Sequence, residues 1–275
     1  MKKVISFSVW GNSEHYVLGA FLNADIAEKE WQDWICRFYV SPNVPEPAIK
    51  ELERRSNVEV FRMQNDAGWN GMFWRFLPAS DPEVDVMISR DSDSRINVRD
   101  KAAVDEWLDS GKKFHIMRDM CQHMWPICGG MWGVRDKFLS SLSDEIMNYD
   151  RKNHDNNHGI DQKFLTDLYP RVVNDALIHD DWFPHYLTHE NKKEFPIKRL
   201  RGNEWWKQDF PEWHNGFELE KGDGHWFRNE TCKNPECCMP CPACGSFHDN
   251  CYIGQSIYIS QENRDKYSKL MEYLT

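Results

Sequence analysis

Apolar positions in the first hundred residues come as short runs set between amphipathic stretches. Val4–Val9 is an apolar-rich run closed by Gly11, Asn12 and Ser13, and it predicts a strand. Helical spacing follows over roughly 16–27, then a β-rich run at Trp34–Val40, a helix over Pro47–Arg55 and a third strand at Val58–Phe61. Val84–Ile88, entered after Asp81-Pro82, is the fourth strand. This β-α-β-α-β rhythm predicts a parallel sheet covered by helices, a fold whose ligands bind beyond the carboxyl ends of the strands.

Further along, Asn97 is placed to cap a helix reaching Asp109, with Asp100 near its positive end and Val104, Trp107 and Leu108 as its buried face. Phe114–Met117 is another strand, followed by the glycine-rich Gly129-Gly130-Met131-Trp132-Gly133. Helices are expected at Asp136–Met147 and Ile160–Tyr169, a strand at Ala176–Ile178, and a closing helix at Gln261–Leu274. From about residue 192 the pattern weakens, and 200–252 is rich in Trp, Gly, Pro and Cys. The expected division is a domain of residues 1–200, with halves at 1–95 and 96–200. Residues 201–275 are expected to form a separate Trp/Cys-rich extension.

Charge and composition narrow the classes. Lys and Arg total 34 against 44 Asp and Glu, a net charge of −10 over 275 residues. Phosphate neutralisation needs an excess of basic residues, so a general nucleic-acid binder is not expected. At 40% hydrophobic and 13% aromatic residues, the chain can build a sizeable core. No apolar run approaches the ~20 residues of a membrane helix. Met1–Phe7 lacks the features of a signal peptide, so the expected location is cytoplasmic.

Six of the nine cysteines lie between Cys232 and Cys251. Cys241-Pro-Ala-Cys244-Gly has the shape of a zinc knuckle, whose tight turn aims two thiolates at one point. The remaining ligands of a tetrahedral site would come from Cys232, Cys237 or Cys238, and from His248 or Cys251. A disulfide framework is the alternative in an oxidising compartment. Cys36, Cys121 and Cys128 are scattered and read as small core residues.

The candidate chemistry sits at Val84-Asp85-Val86-Met87-Ile88-Ser89-Arg90-Asp91-Ser92-Asp93-Ser94-Arg95. An apolar strand runs into two carboxylates two residues apart. Such a pair can hold one hard cation, Mg²⁺ or Mn²⁺, with a nucleotide diphosphate bridging to it. Arg90 and Arg95 flank the pair and are expected to offset phosphate charge.

This segment resembles the Asp-x-Asp motif of nucleotide-sugar glycosyltransferases of the GT-A fold, a Rossmann-like, mostly parallel sheet with helices on both faces. More narrowly, the chain resembles bacterial and large-virus sugar transferases acting on surface glycans. The likeness is carried by Val4–Gly11, Phe73-Trp74-Arg75-Phe76, Ser89–Arg95, Phe114–Asp119, Gly129–Gly133 and Gly159-Ile160-Asp161-Gln162, together spanning residues 4 to about 200. The Cys-rich stretch lies outside it.

The resemblance implies a donor site at Ser8, Val9, Trp10 and Gly11, with Arg75, Arg90 and Ser92 near the diphosphate. Lys198 and Arg199 would neutralise the departing group. It implies a metal held by Asp91 and Asp93, with His179 as third ligand and His185 and His189 as rivals. Asp161, followed by Gln162, would lie beside the anomeric carbon as the catalytic pair, although Asp at a helix start is also favourable in its own right. Gly129, Gly130 and Met131 would pass under the sugar, and Trp132 would stack on it or else pack in the core. Asp119 and His123 would touch sugar hydroxyls. The implied reaction moves a hexose or pentose from a nucleoside diphosphate to a glycan hydroxyl, by inversion or retention. Two other readings, a zinc-knuckle binding module and a phosphoesterase using Asp91 and Asp93, lack respectively the basic stripe and the extra acidic ligands they need.

Overall fold

The computed structural model describes residues 1–66, 68–119, 125–152, 157–180, 192–197, 259 and 261–274. Strands β1 (Lys3–Val9), β2 (Trp34–Val40) and β3 (Val58–Arg62) alternate with helices α1 (Glu14–Glu30) and α2 (Glu46–Glu53). A 3-10 segment, Gly68–Ser80, leads to β4 (Val86–Ser89), α3 (Val98–Asp109) and β5 (Phe114–Arg118). Then come β6 (Trp132–Arg135), α4 (Leu142–Lys152), α5 (Ile160–Val172), β7 (Ala176–Asp180) and the two-residue β8 (Lys192–Lys193). Two short helices, α6 (Gln261–Lys266) and α7 (Ser268–Met271), close the chain.

The strands form one eight-stranded sheet in the order β3-β2-β1-β4-β6-β5-β7-β8. All pairings are parallel except those of β6, which runs antiparallel to both β4 and β5. The expected α/β, Rossmann-like and mostly parallel sheet is therefore present, with one reversed strand in its middle.

Strand periodicity sorts the core onto the two faces. Ile5, Phe7 and Val9 of β1 and Val86 and Ile88 of β4 pack with α1, α2 and Val104 and Trp107 of α3. Val4 and Met87 point the other way, into a second core with Phe73 and Phe76 of the 3-10 segment, Phe164 and Leu165 of α5, and Trp132. Asn97 caps α3 as expected, its side chain accepting from the Asp100 amide.

Three expectations need correction. Helix α4 begins at Leu142 rather than Asp136, because Asp136 and Lys137 adopt left-handed backbone (φ 58° and 56°) that a right-handed helix cannot pass through. Gly133, read as part of a loop, lies inside β6. A Cβ there would stand 2.9 Å from Ile88 Cγ2 and 3.1 Å from the Trp107 ring, so glycine is what lets β6 lie against β4. Finally, Ile259 and residues 261–274, expected in a separate extension, lie against the first domain. Ile259, Tyr267, Leu270 and Leu274 pack in the same core as β1 and α1. Tyr267 donates to Asp25, and Arg264 pairs with Glu14 at 2.7 Å.

Candidate functional site

The site forms where β1 and β4 end, in the middle of the sheet. The reversed direction of β6 is what completes it. Ser89, the last residue of β4, pairs with Trp132, the first of β6, so the preceding Gly129 and Gly130 are delivered to the carboxyl end of β4. Ser89 Oγ donates to the Gly129 carbonyl at 2.6 Å and fixes that approach. Asp91 follows two residues after β4 ends.

Arg75 holds the centre. Its backbone amide donates to Ser8 Oγ at 3.0 Å, which ties the 3-10 segment to β1. Its guanidinium donates through Nη1 to Asp91 Oδ1 and through Nη2 to Asp161 Oδ2, the latter at 2.8 Å. Asp161 stands in the first turn of α5 and is fully buried. Its neighbour Gln162 accepts from the Gly129 amide at 3.2 Å. A Cβ on Gly129 would meet the Arg75 guanidinium and stand 2.6 Å from Asp161 Oδ2, and one on Gly130 would overlap the Asp91 carboxylate. Only glycine at both positions lets these groups converge.

Burial raises the carboxyl pKa of both Asp91 and Asp161, against the lowering influence of Arg75. The charge of Asp93 adds to the rise at Asp91, and that of Asp91 to the rise at Asp161. Asp161 Oδ1 is buried with no hydrogen-bond partner among the described residues. Asp91 and Asp93 are partly open to solvent, their side chains 33% and 22% exposed. Two hard carboxylates at one mouth, with Asp91 Oδ2 left over by Arg75, are a donor set that suits Mg²⁺ or Mn²⁺. Among the described residues, no group of three or more His, Cys, Asp or Glu side chains is arranged to hold a metal.

The loop carrying Asp91 and Asp93 is clamped from behind by α1. Gly19 faces the Ser92 carbonyl with no room for a Cβ. Buried Asn23 donates to the carbonyls of Ser92 (3.3 Å) and Ser94 (2.8 Å) and accepts from the Ile96 amide at 3.0 Å. Asn23→Ala would orphan several of these buried groups together, and is expected to cost about 3 kcal/mol of stability. Urea denaturation measures it, and a loss below about 0.5 kcal/mol would show that the loop holds itself.

Several expected site residues have other roles. Arg90 is buried and bidentate to Asp100 (2.8 and 2.6 Å), with further bonds to the carbonyls of Ser89 and Trp132, so it is not free to meet a phosphate. Arg95 is likewise buried, its Nη1 on the Ser92 and Ser94 carbonyls. Ser92 is packed against α1, and Val9 is core. Trp132 is fully buried, stacked on Phe114 with ring centroids 5.3 Å apart, and cannot lie under a sugar. Met131 packs with Met117, Cys128 and Phe195. Asp119 is buried against Arg99.

His179 is buried with both ring nitrogens engaged. Nδ1 lies 2.8 Å from His115 Nε2, and Nε2 lies 2.9 Å from Glu106 Oε2. Neither ring nitrogen is left for a metal at Asp91 and Asp93. His123, Lys198, Arg199 and the proposed zinc ligands Cys232, Cys238, Cys241, Cys244, Cys251 and His248 lie outside the described residues.

The His115–His179 pair makes stability depend on pH. Burial lowers both imidazole pKa values; His179 and Arg90 add to the effect at His115, while Glu106 opposes it at His179. The fold therefore disfavours the charged form of both rings, whereas unfolded histidine protonates near pH ~6.5. Below that value the unfolded state binds more protons, so stability present at pH 7 is lost as pH falls through the range below ~6.5. His115→Gln should flatten the slope of denaturation free energy against pH in this window. An unchanged slope would show that the pair does not titrate on unfolding.

Aromatic residues line the mouth, Tyr16 and Trp69 among them absent from the sequence expectation. Trp10, expected on the donor side, stacks near-parallel on Tyr16 (16° between planes) and meets Trp69 edge-on. Trp69 meets His158 edge-on with centroids 4.8 Å apart. Tyr16 and Trp69 remain 40% and 42% exposed. His15 Nε2 stands 3.7 Å from Asp93 Oδ2, and burial, with Arg95, brings its pKa down to about 4. The Tyr16 hydroxyl pKa is raised by burial and by the charges of Asp93 and Asp91. Their signal in the sequence is position alone: Ser13-Glu14-His15-Tyr16 starts the helix after the first strand of such a sheet. Gly11, with φ 77°, makes the turn there and donates to Asn43 Oδ1 at 2.6 Å.

No protein-family description matches the chain, and no curated protein matches it. Solved structures similar to it include residues 1–349 of TarS from S. aureus, at 13% identity and TM-score 0.45, over 66% of this chain and 59% of that one. Another is a glycosyltransferase involved in the glycosylation of the major capsid of PBCV-1, at 18% identity and TM-score 0.41, over 66% of this chain and 82% of that one. A third is the 4-diphosphocytidyl-2C-methyl-D-erythritol synthase of Anaerococcus prevotii, at 10% identity and TM-score 0.41, over 65% of this chain and 87% of that one. This chain thus spans about three-fifths of the TarS fragment. No helix among the described residues is long and apolar enough to cross a membrane.

Proposed function

We propose that this chain is a metal-dependent glycosyltransferase that moves a sugar from a nucleoside-diphosphate sugar, a UDP-sugar foremost, to a hydroxyl of a glycan acceptor. The observation that carries the proposal is the convergence of Asp91, Arg75 and Asp161 on Gly129-Gly130 at the end of β4, with Asp93 two residues on. The sequence resemblance supplies the reaction type.

In this reading Asp91 and Asp93 would hold Mn²⁺ or Mg²⁺, which would supply Lewis-acid stabilisation of the leaving diphosphate. The chain's own residues do the rest. Asp161, buried and oriented by Arg75, has in Oδ1 an acceptor without a partner among the described residues, which would take the proton of an attacking hydroxyl or bond a hydroxyl of the sugar in transfer. Its raised pKa improves it as a base. Tyr16 and Trp69, each in contact with Trp10, offer exposed ring surface at the mouth of the site. A structural zinc on the 232–251 cysteines belongs to the same proposal, at about one per chain by metal analysis under reducing conditions.

Isothermal titration of UDP, GDP and CDP with and without Mn²⁺ tests the donor site. The expected result is binding of at least one nucleotide, and only with the metal. Absence of metal-dependent binding for all three would refute the proposal.

A further inference from the structure

The centre of the site already contains a cation. Arg75 is almost wholly buried, and its guanidinium sits between Asp91 and Asp161, donating one arm to each. Its Nε has no partner among the described residues. The group is therefore held by those two carboxylates and by the Phe76 ring, 5.5 Å from its centre. The glycines opposite are shaped around this arrangement rather than around a vacancy: side chains at 129 and 130 would strike Arg75, Asp161 and Asp91.

We infer that Arg75 is a resident counter-ion of the site, and that its guanidinium and the divalent cation are alternative partners of Asp91. This rests on the reading of Asp91 as a metal-holding residue. Without a divalent ion, Asp91 and Asp161 are two partly desolvated carboxylates that need a positive charge between them, and Arg75 supplies it. A divalent ion on Asp91 would stand several ångströms from the guanidinium. Coulomb repulsion between them at an effective dielectric of about 20 is then large enough to lower metal affinity by at least about tenfold. The repulsion is relieved when Arg75 leaves Asp91 while keeping Asp161. Its freed Nη1 and its unpartnered Nε then need an anionic acceptor, and the diphosphate of the donor is one. Metal and nucleotide should therefore bind with strong mutual support, since each removes the obstacle to the other.

The test is Mn²⁺ affinity in nucleotide-free protein, by calorimetry, for the wild type, Arg75→Gln and Arg75→Lys. The inference expects Arg75→Gln to bind Mn²⁺ at least about tenfold more tightly than the wild type, and Arg75→Lys to stay near it. It also expects the gain in Mn²⁺ affinity on adding UDP to shrink in Arg75→Gln. Equal or weaker Mn²⁺ binding by a folded Arg75→Gln would overturn the inference. A wild type that binds no Mn²⁺ even with nucleotide would instead overturn the reading of the metal site. In case Arg75→Gln does not fold, the guanidinium NMR signals of Arg75 in the wild type, assigned with Arg75→Lys, are followed during Mg²⁺ titration with UDP. A saturable shift supports the exchange of partners, and unmoved signals contradict it.

Discussion

Replacing Asp91 and Asp93 together by alanine is expected to lower nucleoside-diphosphate release from a donor sugar by at least about a thousandfold, with the fold intact. The two halves of this expectation have separate grounds. Loss of activity follows from removing the only pair of partly exposed carboxylates that the described residues bring to the end of β4. Retention of the fold follows from their surroundings. Asp91 gains nothing from burial, which raises its pKa, and Arg75 keeps Asp161 when Asp91 is gone. Asp93 stands 3.7 Å from His15, and its charge also reaches Tyr16 and Arg95. The loop backbone is held by Asn23, which contacts neither carboxylate. Circular dichroism and thermal melting close to the wild type, together with lost turnover, are the expected pair of results. Full turnover in the double variant would remove both residues from the chemistry.

The second large effect concerns Arg90, one residue before Asp91. Arg90→Met is expected to destabilise the chain by about 4 kcal/mol, because it leaves Asp100 as a buried, uncompensated charge. Asp100 is fully buried and takes both of its side-chain bonds from Arg90. The carbonyls of Ser89 and Trp132 lose a donor as well. Adding Asp100→Leu should restore much of the loss, since replacing a buried ion pair by apolar groups is often close to neutral. Urea denaturation of the single and double variants measures this. A stable Arg90→Met that binds nucleotide poorly would instead return Arg90 to the diphosphate, the role its place beside the Asp-x-Asp pair first suggests.

Arg90 also marks the limit of what the sequence can tell. The strands were readable because each buried strand is a compact apolar run, and Trp34–Val40 was located to the residue. The carboxylate pair was readable because a strand running into two aspartates is rare chemistry for a core. The direction in which a polar side chain leaves the backbone was not readable. His179 at the end of β7 looks the same in sequence whether it faces a metal or His115 and Glu106. Trp132 looks the same under a sugar or against Phe114 and Phe76. Strand β6 was hidden because its second residue is a glycine, whose missing side chain is required by Ile88 and Trp107 packed against it. The role of α1 in clamping the loop depends on Gly19 and Asn23 meeting Ser92 and Ser94, about seventy residues away in the chain. No local pattern announces such a contact.

Turnover is the most direct test of the central claim. The purified chain is incubated with a panel of UDP- and GDP-sugars, with Mn²⁺ and then with chelator, and released nucleoside diphosphate is measured. Release from at least one donor is expected, dependent on Mn²⁺ and absent in the Asp91/Asp93 double variant. Release that persists in chelator, or that the double variant performs as well as the wild type, would contradict it, as would no release from any donor.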